Sequence, residues 1–187
     1  MTPAARAGAA PMLVCLNLQA AYLDPRGESF APRAFATLAQ AQACLQWARG
    51  QELPVVHVHT RAGLGRPAAP PIPGFEPRLS EPLVMKRSAS IFDSDELERV
   101  RPRLEEAIVI GFSGLRDCVA AAIDAERAGA RLVFVSDAIA STRLADHEPN
   151  LVDAFVAALI SEWAPLVTTE NLLRRDLRLG RLMRGIG

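Results

Sequence analysis

The chain has 187 residues, of which 50% are hydrophobic, and this length is typical of one globular domain. Its 21 basic and 21 acidic side chains cancel, which disfavours partners selected by charge, such as nucleic acid or an anionic membrane. Three cysteines without a Cys-x-x-Cys pair argue against a disulfide framework and a structural zinc site. With no signal peptide or membrane-spanning run in the sequence, we expect a cytoplasmic protein that binds neither nucleic acid nor membrane.

Short apolar runs alternate with longer helical patterns along the chain. The runs have strand length, and most are rich in Val, Ile or Leu on both faces, as strands covered on both sides are. They are Met12–Leu18, Pro54–Thr60, Leu83–Lys86, Ala107–Phe112, Arg131–Ser136 and Leu166–Thr168. The Ala-rich helical patterns are Pro32–Arg49, Ser94–Arg103, Leu115–Ala128, Glu148–Trp163 and Leu172–Arg184. This alternation predicts one three-layer α/β domain over residues 1–187, with helices connecting the strands of a parallel sheet.

The segment 61–82 has neither a helical nor a strand pattern. It is rich in proline and glycine, which favour turns and extended backbone. We predict a long loop here. A loop of this length inside a compact domain is typical of a lid or a binding loop, and a disordered linker is the other interpretation.

Three residues that could take part in a reaction lie at or just after the ends of predicted strands. Ligands of open parallel sheets bind beyond the carboxyl ends of the strands. Asn17 lies at the end of the first predicted strand, and Lys86, the single lysine beside twenty arginines, ends the third. Cys118 lies in the first turn of the helix after the fourth strand, where the helix dipole favours a thiolate. Spacing alone leaves two interpretations open for Cys118, which is either a nucleophile or a small buried residue. It also leaves two open for Lys86, which is either a site residue or a solvated surface lysine.

These segments resemble those of the isochorismatase-like cysteine hydrolases, which include nicotinamidases, N-carbamoylsarcosine amidohydrolases and ureidoacrylate hydrolases. The matching residues are Asn17-Leu18-Gln19, Lys86 with Ser90 and Phe92, Gly111, Cys118-Val119, Asp137-Ala138, His147 and Thr168-Thr169-Glu170. The resemblance implies a Rossmann-like domain whose six parallel strands lie in the order 3-2-1-4-5-6. It also implies a small-molecule substrate, no cofactor, and a homodimer or homotetramer.

The implied activity is hydrolysis of a C–N bond in a small amide or ureide through a thioester on Cys118. Lys86 would be the electrostatic partner of the thiolate, and Asn17 stands where the family has the Asp of its Cys-Lys-Asp triad. The backbone amides of Gly114 and Cys118 would form the oxyanion hole, after a cis peptide between Ser113 and Gly114. The substrate pocket would include Gln19, Tyr22, His59 and Phe92.

Asn17 departs from the family, because an amide side chain cannot take the proton of a thiol or return it to a leaving amine. Three hypotheses follow. Another group transfers the proton, such as Asp24, Glu28, His57 or His59; or the substrate has a better leaving group than an amine; or the chain binds a small molecule without catalysis. Hydrolysis of a vinyl ether, as in isochorismate, is a weaker alternative because it depends on the missing acid.

His57 and His59 alternate along one strand and therefore share a face of the sheet. A pair on one face could line the pocket or ligate a metal. The segment contains no Asp, and the loop after it contains no further His, so we expect no metal there.

Overall fold

Six parallel strands form the centre of the structure, a computed structural model that describes residues 11–61, 68–92 and 106–174. Within these ranges the strands are β1 Met12–Leu16, β2 Val55–Thr60, β3 Leu83–Lys86, β4 Glu106–Phe112, β5 Arg131–Ala140 and β6 Leu166–Val167. They pair in the order β3-β2-β1-β4-β5-β6, and all pairs are parallel. The order confirms the predicted three-layer Rossmann-like architecture.

Helices cover both faces of this sheet. They are α1 Ala34–Gly50, α2 Val119–Ala128, α3 Pro149–Ser161 and α4 Thr169–Arg174, with a 3-10 turn at Ala20–Leu23 and a π-helical turn at Gly114–Cys118. The helix predicted at Ser94–Arg103 lies outside the described residues. So does the part of the last predicted helix beyond Arg174, and α4 begins at Thr169 rather than at Leu172.

Alternate residues of β1 point to two separate apolar layers, as strand geometry requires. Leu13 and Cys15 pack in the layer that contains the buried side chains of α1 and α4. Val14 and Leu16 pack in the layer that contains those of α2 and α3. A helix that follows β4 therefore buries its inner face against the second layer.

Gly111 allows β4 to approach the end of β1 closely. Its φ is 129°, which side chains of L-amino acids rarely adopt, and a Cβ atom there would lie 1.9 Å from the carbonyl oxygen of Leu16. Glycine is therefore required where these two strands end. Asn17, which follows β1, lies beside the end of β4 as a result, and its Nδ2 donates to the carbonyl of Phe112 at 3.4 Å.

β5 is longer than predicted, because it continues past Ser136 to Ala140. Its register with β4 shifts between Val109 and Gly111, so part of β5 bulges. Asp137 lies in this bulge and accepts hydrogen bonds from the backbone N–H of Thr169 at 2.8 Å and from its hydroxyl at 2.9 Å. These bonds hold the start of α4 against the sheet.

The described part of the 61–82 loop has no helix or long strand and docks on the segment after β1. The N–H of Ala20 donates to the carbonyl of Pro70, and the N–H of Ile72 donates to that of Leu18, each at 2.9 Å. Ile72 and Phe75 are buried in the core. Among the described residues, the helices are too short or too polar to cross a bilayer.

Candidate active site

Three polar side chains meet in the interior at the carboxyl ends of the strands. Asn17 Nδ2 donates to Asp117 Oδ2 at 2.5 Å, and Lys86 Nζ donates to the same oxygen at 2.6 Å. All three residues are at most 1% exposed. The other carboxylate oxygen, Oδ1, accepts from Arg116 Nε at 2.8 Å. We call these four residues the Asp117 cluster.

The strand ends fix the orientation of the donors. Asn17 leaves β1 with a φ of 54°, and its Oδ1 accepts from the hydroxyl of Thr60 at 2.8 Å, so its Nδ2 faces the carboxylate. Lys86 is the last residue of β3, and its Nζ also donates to the carbonyl of Ser88 at 2.9 Å. Both donors are therefore held in place before any ligand binds.

The wide turn after β4 decides which side chain reaches these donors. Ser113 has a φ of 67°, and its carbonyl accepts from the N–H of Asp117 at 2.7 Å and from that of Cys118 at 3.3 Å. Successive side chains of a helix point about 100° apart, so residues 117 and 118 do not face the same way. Asp117 faces Lys86 and Asn17, whereas Cys118 packs in the apolar layer with the buried residues of α2 and α3.

The surroundings of Cys118 favour a neutral thiol. Burial raises the pKa of the Cys118 thiol, and the adjacent Asp117 carboxylate raises it further, whereas Lys86 opposes both. Burial also lowers the pKa of Lys86, and its hydrogen bond to Asp117 opposes that shift. The Lys86 charge thus faces a carboxylate rather than a thiolate.

Asn17 and Lys86 are both predicted from the sequence as site residues and the fold brings them together, whereas Asp117 was not predicted. One signal was available: Asp117 is an acidic residue in the turn that directly precedes the Ala-rich helix. The expected cis peptide at Ser113–Gly114 is wrong, because the described residues contain no cis peptide and Ser113 turns the chain with a left-handed conformation instead. The N–H of Cys118, expected in an oxyanion hole with that of Gly114, is donated to Ser113 within the turn.

The residues predicted to line a pocket have different positions. Gln19 accepts from the N–H of Thr60 at 2.9 Å and donates to the carbonyl of Ala69 at 3.0 Å, so it fastens the 61–82 loop to β2. The ring of Tyr22 is buried 5.9 Å from that of Phe112, and burial together with the Asp117 charge raises the pKa of Tyr22 to about 12. Phe92 is partly buried against the apolar layer of α2 and α3.

The two histidines of β2 are both buried, but their side chains have different partners. His57 Nε2 lies 2.9 Å from Glu81 Oε2, and Arg49 binds both oxygens of that carboxylate. Burial lowers the pKa of His59 to about 4, and the neighbouring His57 adds to the shift. In the parts of the chain that the structure describes, no group of three His, Cys, Asp or Glu side chains could hold a metal ion.

None of the proposed substitutes for the missing Asp lies in the Asp117 cluster. Asp24 and Glu28 are exposed, and the charges that act on the Cys118 thiol are those of Asp117, Lys86 and Asp153. A cavity of about 500 Å³ lies elsewhere, at the amino-terminal ends of the strands. It is enclosed by the starts of β1 and β2 and by residues 78–82. The carboxylate that acts most strongly on the Cys118 thiol is therefore that of its sequence neighbour, Asp117.

Comparison with known proteins supports the fold and identifies the family. The family model described as the isochorismatase domain matches residues 11–170. No curated protein sequence matches the chain. Solved structures with the same fold include an isochorismatase from Pseudomonas putida KT2440, with 24% identity, a TM-score of 0.76, and coverage of 86% of this chain and 88% of that chain.

Two further structures resemble the chain at lower identity. A cysteine hydrolase from Pseudomonas syringae pv. phaseolicola has 17% identity and a TM-score of 0.78, with 88% of this chain and 91% of that chain covered. N-carbamoylsarcosine amidase from Thermoplasma acidophilum has 20% identity and a TM-score of 0.67, with 86% and 97% covered. With the family model spanning most of its length, the chain belongs to the isochorismatase domain family.

Proposed function

We propose that this chain is a small-molecule hydrolase that reacts at the carboxyl ends of its strands, around Lys86, without forming a thioester on Cys118. The observation that carries the proposal is that Asp117, and not Cys118, contacts both Lys86 and Asn17. Thiol catalysis requires a thiolate, and the burial of Cys118 together with the adjacent Asp117 charge favours the neutral thiol. The family and the fold support hydrolysis as the class of reaction.

Hydrolysis of a small amide or ureide through a Cys118 thioester is the competing mechanism, and trapping separates the two. A panel of small amides, ureides, esters and vinyl ethers is incubated with the protein, the reaction is stopped with acid during turnover, and the peptide that carries Cys118 is examined by mass spectrometry. We expect turnover of at least one compound and no acyl adduct on that peptide.

Removal of the thiol provides the matched test. We expect Cys118→Ser to keep kcat within about threefold of the parent, as Cys44→Ser should, since Cys44 is buried in the opposite apolar layer. A loss of 100-fold or more in Cys118→Ser alone, on the order of what an essential group contributes, would refute the proposal in favour of the thioester mechanism.

A second candidate is binding of a small molecule without catalysis. It is favoured by one observation, the complete burial of Asn17, Lys86 and Asp117 within the described residues. Under this candidate the parent protein turns over no compound of the panel, whereas at least one compound raises its melting temperature. Turnover by the parent protein that is absent from a mock purification eliminates this candidate.

We also propose that the chain forms a homo-oligomer. Phe35 at the start of α1 and Leu151 and Phe155 on α3 are each more than half exposed. Arg33, which precedes α1, reaches Asn150 on α3, so the starts of these two helices are adjacent. Exposed apolar side chains on adjacent elements are typical of an interface. Light scattering after size-exclusion chromatography tests the proposal, and a monomer mass of 20.2 kDa at micromolar concentration contradicts it.

A further inference from the structure

We infer that Asp117 is the reacting group of this site and acts as a general base on water, which directs the chain to esters with good leaving groups rather than to amides. The inference rests on the proposed function and adds to it the residue and the substrate class. It begins from the position of the carboxylate, which is the only group of the Asp117 cluster able to accept a proton: Lys86 and Arg116 are cations, and Asn17 carries an amide.

The two oxygens of Asp117 differ in their remaining capacity. A carboxylate has about four lone-pair positions, two on each oxygen. Oδ2 accepts from Lys86 and from Asn17, so both of its positions are used. Among the described residues, Oδ1 accepts from Arg116 alone, which leaves it one position for a water molecule. Oδ1 is thus the atom that can hold and deprotonate water.

The partners of the two oxygens also differ in exposure. Arg116, the partner of Oδ1, has 62% of its side chain exposed, whereas Lys86, the ion-pair partner of Oδ2, has 1%. Because the Asp117 side chain is itself 0% exposed, we place the approach of water and substrate on the side of Arg116. Lys86 and Asn17 act as positioning residues, because they hold Oδ2 and so fix the direction in which Oδ1 points.

The reaction step balances with water as the nucleophile. Asp117 Oδ1 takes one proton from water while the water oxygen forms a bond to the acyl carbon, and the π electrons of the C=O bond move to the carbonyl oxygen. When that pair returns, the bond to the leaving group breaks and the leaving group takes the bonding electrons. The products are the acid and the leaving group, which departs as an anion, and Asp117 then releases its proton to water.

The substrate class follows from what the cluster lacks. A leaving amine must be protonated as its bond breaks, and the Asp117 cluster has no second carboxyl group for this, because Asn17 carries an amide. A phenolate or similar leaving group departs without a proton. Esters of this kind therefore suit the site, and amides with the same acyl group do not.

The test compares p-nitrophenyl acetate with p-nitroacetanilide, which carry the same acyl group. We expect the parent protein to hydrolyse the ester and leave the anilide intact. We expect Asp117→Asn to lower kcat by about 100-fold or more, the contribution of a positioned general base. Cys118→Ser and Arg127→Gln, an exposed control on α2, should stay within about threefold of the parent.

Asp117→Asn leaves Lys86 without its ion-pair partner, so circular dichroism must show that this variant is folded at the assay temperature. If the Asp117→Asn variant is not folded, a measurement on the parent protein tests the inference instead. Proton transfer to Asp117 in the transition state predicts a solvent isotope effect on kcat of about two or more, and an effect near one overturns the inference.

The outcomes separate the two proposals. Ester hydrolysis that survives in a folded Asp117→Asn variant overturns the role of Asp117 but leaves hydrolysis without a thioester standing. No hydrolysis of any compound by the parent, or an acyl group on Cys118, overturns the proposed function itself. Faster hydrolysis of the anilide than of the ester overturns the substrate class.

Discussion

The ion pair between Lys86 and Asp117 should be the most strongly coupled pair of charges in the described part of the chain. Lys86 Nζ lies 2.6 Å from Asp117 Oδ2, and the two side chains are 1% and 0% exposed. At that separation an effective dielectric constant of 20 gives an attraction of about 6 kcal/mol, which the desolvation of two charges partly offsets. Removing one partner leaves the other charge buried and unpaired, and such changes cost about 3–5 kcal/mol.

A double-mutant cycle measures this coupling. We expect Lys86→Met and Asp117→Asn each to lower the free energy of unfolding by about 3–5 kcal/mol, and the double variant to be less destabilised than the sum by at least about 2 kcal/mol. The assay is urea unfolding followed by far-ultraviolet circular dichroism, with the slope m checked for each variant.

The exposed pair of Arg127 and Asp124, 3.3 Å apart on α2, is the matched control. Its coupling should be no more than about 0.5 kcal/mol, the value typical of a helical surface pair. Coupling between Lys86 and Asp117 that is no larger than the control would refute the arrangement of the site, because the two charges would then not be joined in the folded protein.

Two further predictions concern the loss of stability at acidic pH and the close approach of β4 to the end of β1. The pKa of His59 falls from 6.5 to about 4 on folding, so its neutral form stabilises the fold above pH 6.5 and this contribution, about 3 kcal/mol, is lost as the pH falls toward 4. His59→Gln should therefore lose less stability than the parent between pH 6.5 and 4, as measured by urea unfolding at each pH. His147→Gln, a change at an exposed position, is the control and should follow the parent. If the free energy of unfolding of His59→Gln falls with pH as steeply as that of the parent, the burial of His59 is contradicted. Gly111→Ala should cost more than about 3 kcal/mol, because its Cβ would lie 1.9 Å from the Leu16 carbonyl at a φ of 129°, while Gly50→Ala, with no atom within 4 Å, should stay within about 1 kcal/mol of the parent by thermal unfolding.

The layered fold could be predicted from local patterns because each strand and helix carries its own signal. Runs such as Ala107–Phe112 are apolar on both faces, and this requires helices on both sides of the sheet. Boundaries were less accurate. β5 continues to Ala140 because a bulge near Asp137 keeps it paired with β4, and α4 begins at Thr169 because that same Asp137 binds its first residue. Both contacts join residues distant in the sequence.

The sequence by itself determined which residues reach the carboxyl ends of the strands. Lys86 ends a strand, Asn17 follows one, and residues 117 and 118 begin the helix after β4, all of which follow from the order of elements. It did not determine which of the two helical neighbours faces the lysine, because they differ only by a rotation of about 100° and both types of residue occur at helix starts. The tertiary structure decided this: the wide turn at Gly114–Cys118 and the apolar layer of α2 and α3 place the thiol in the core and the carboxylate beside Lys86.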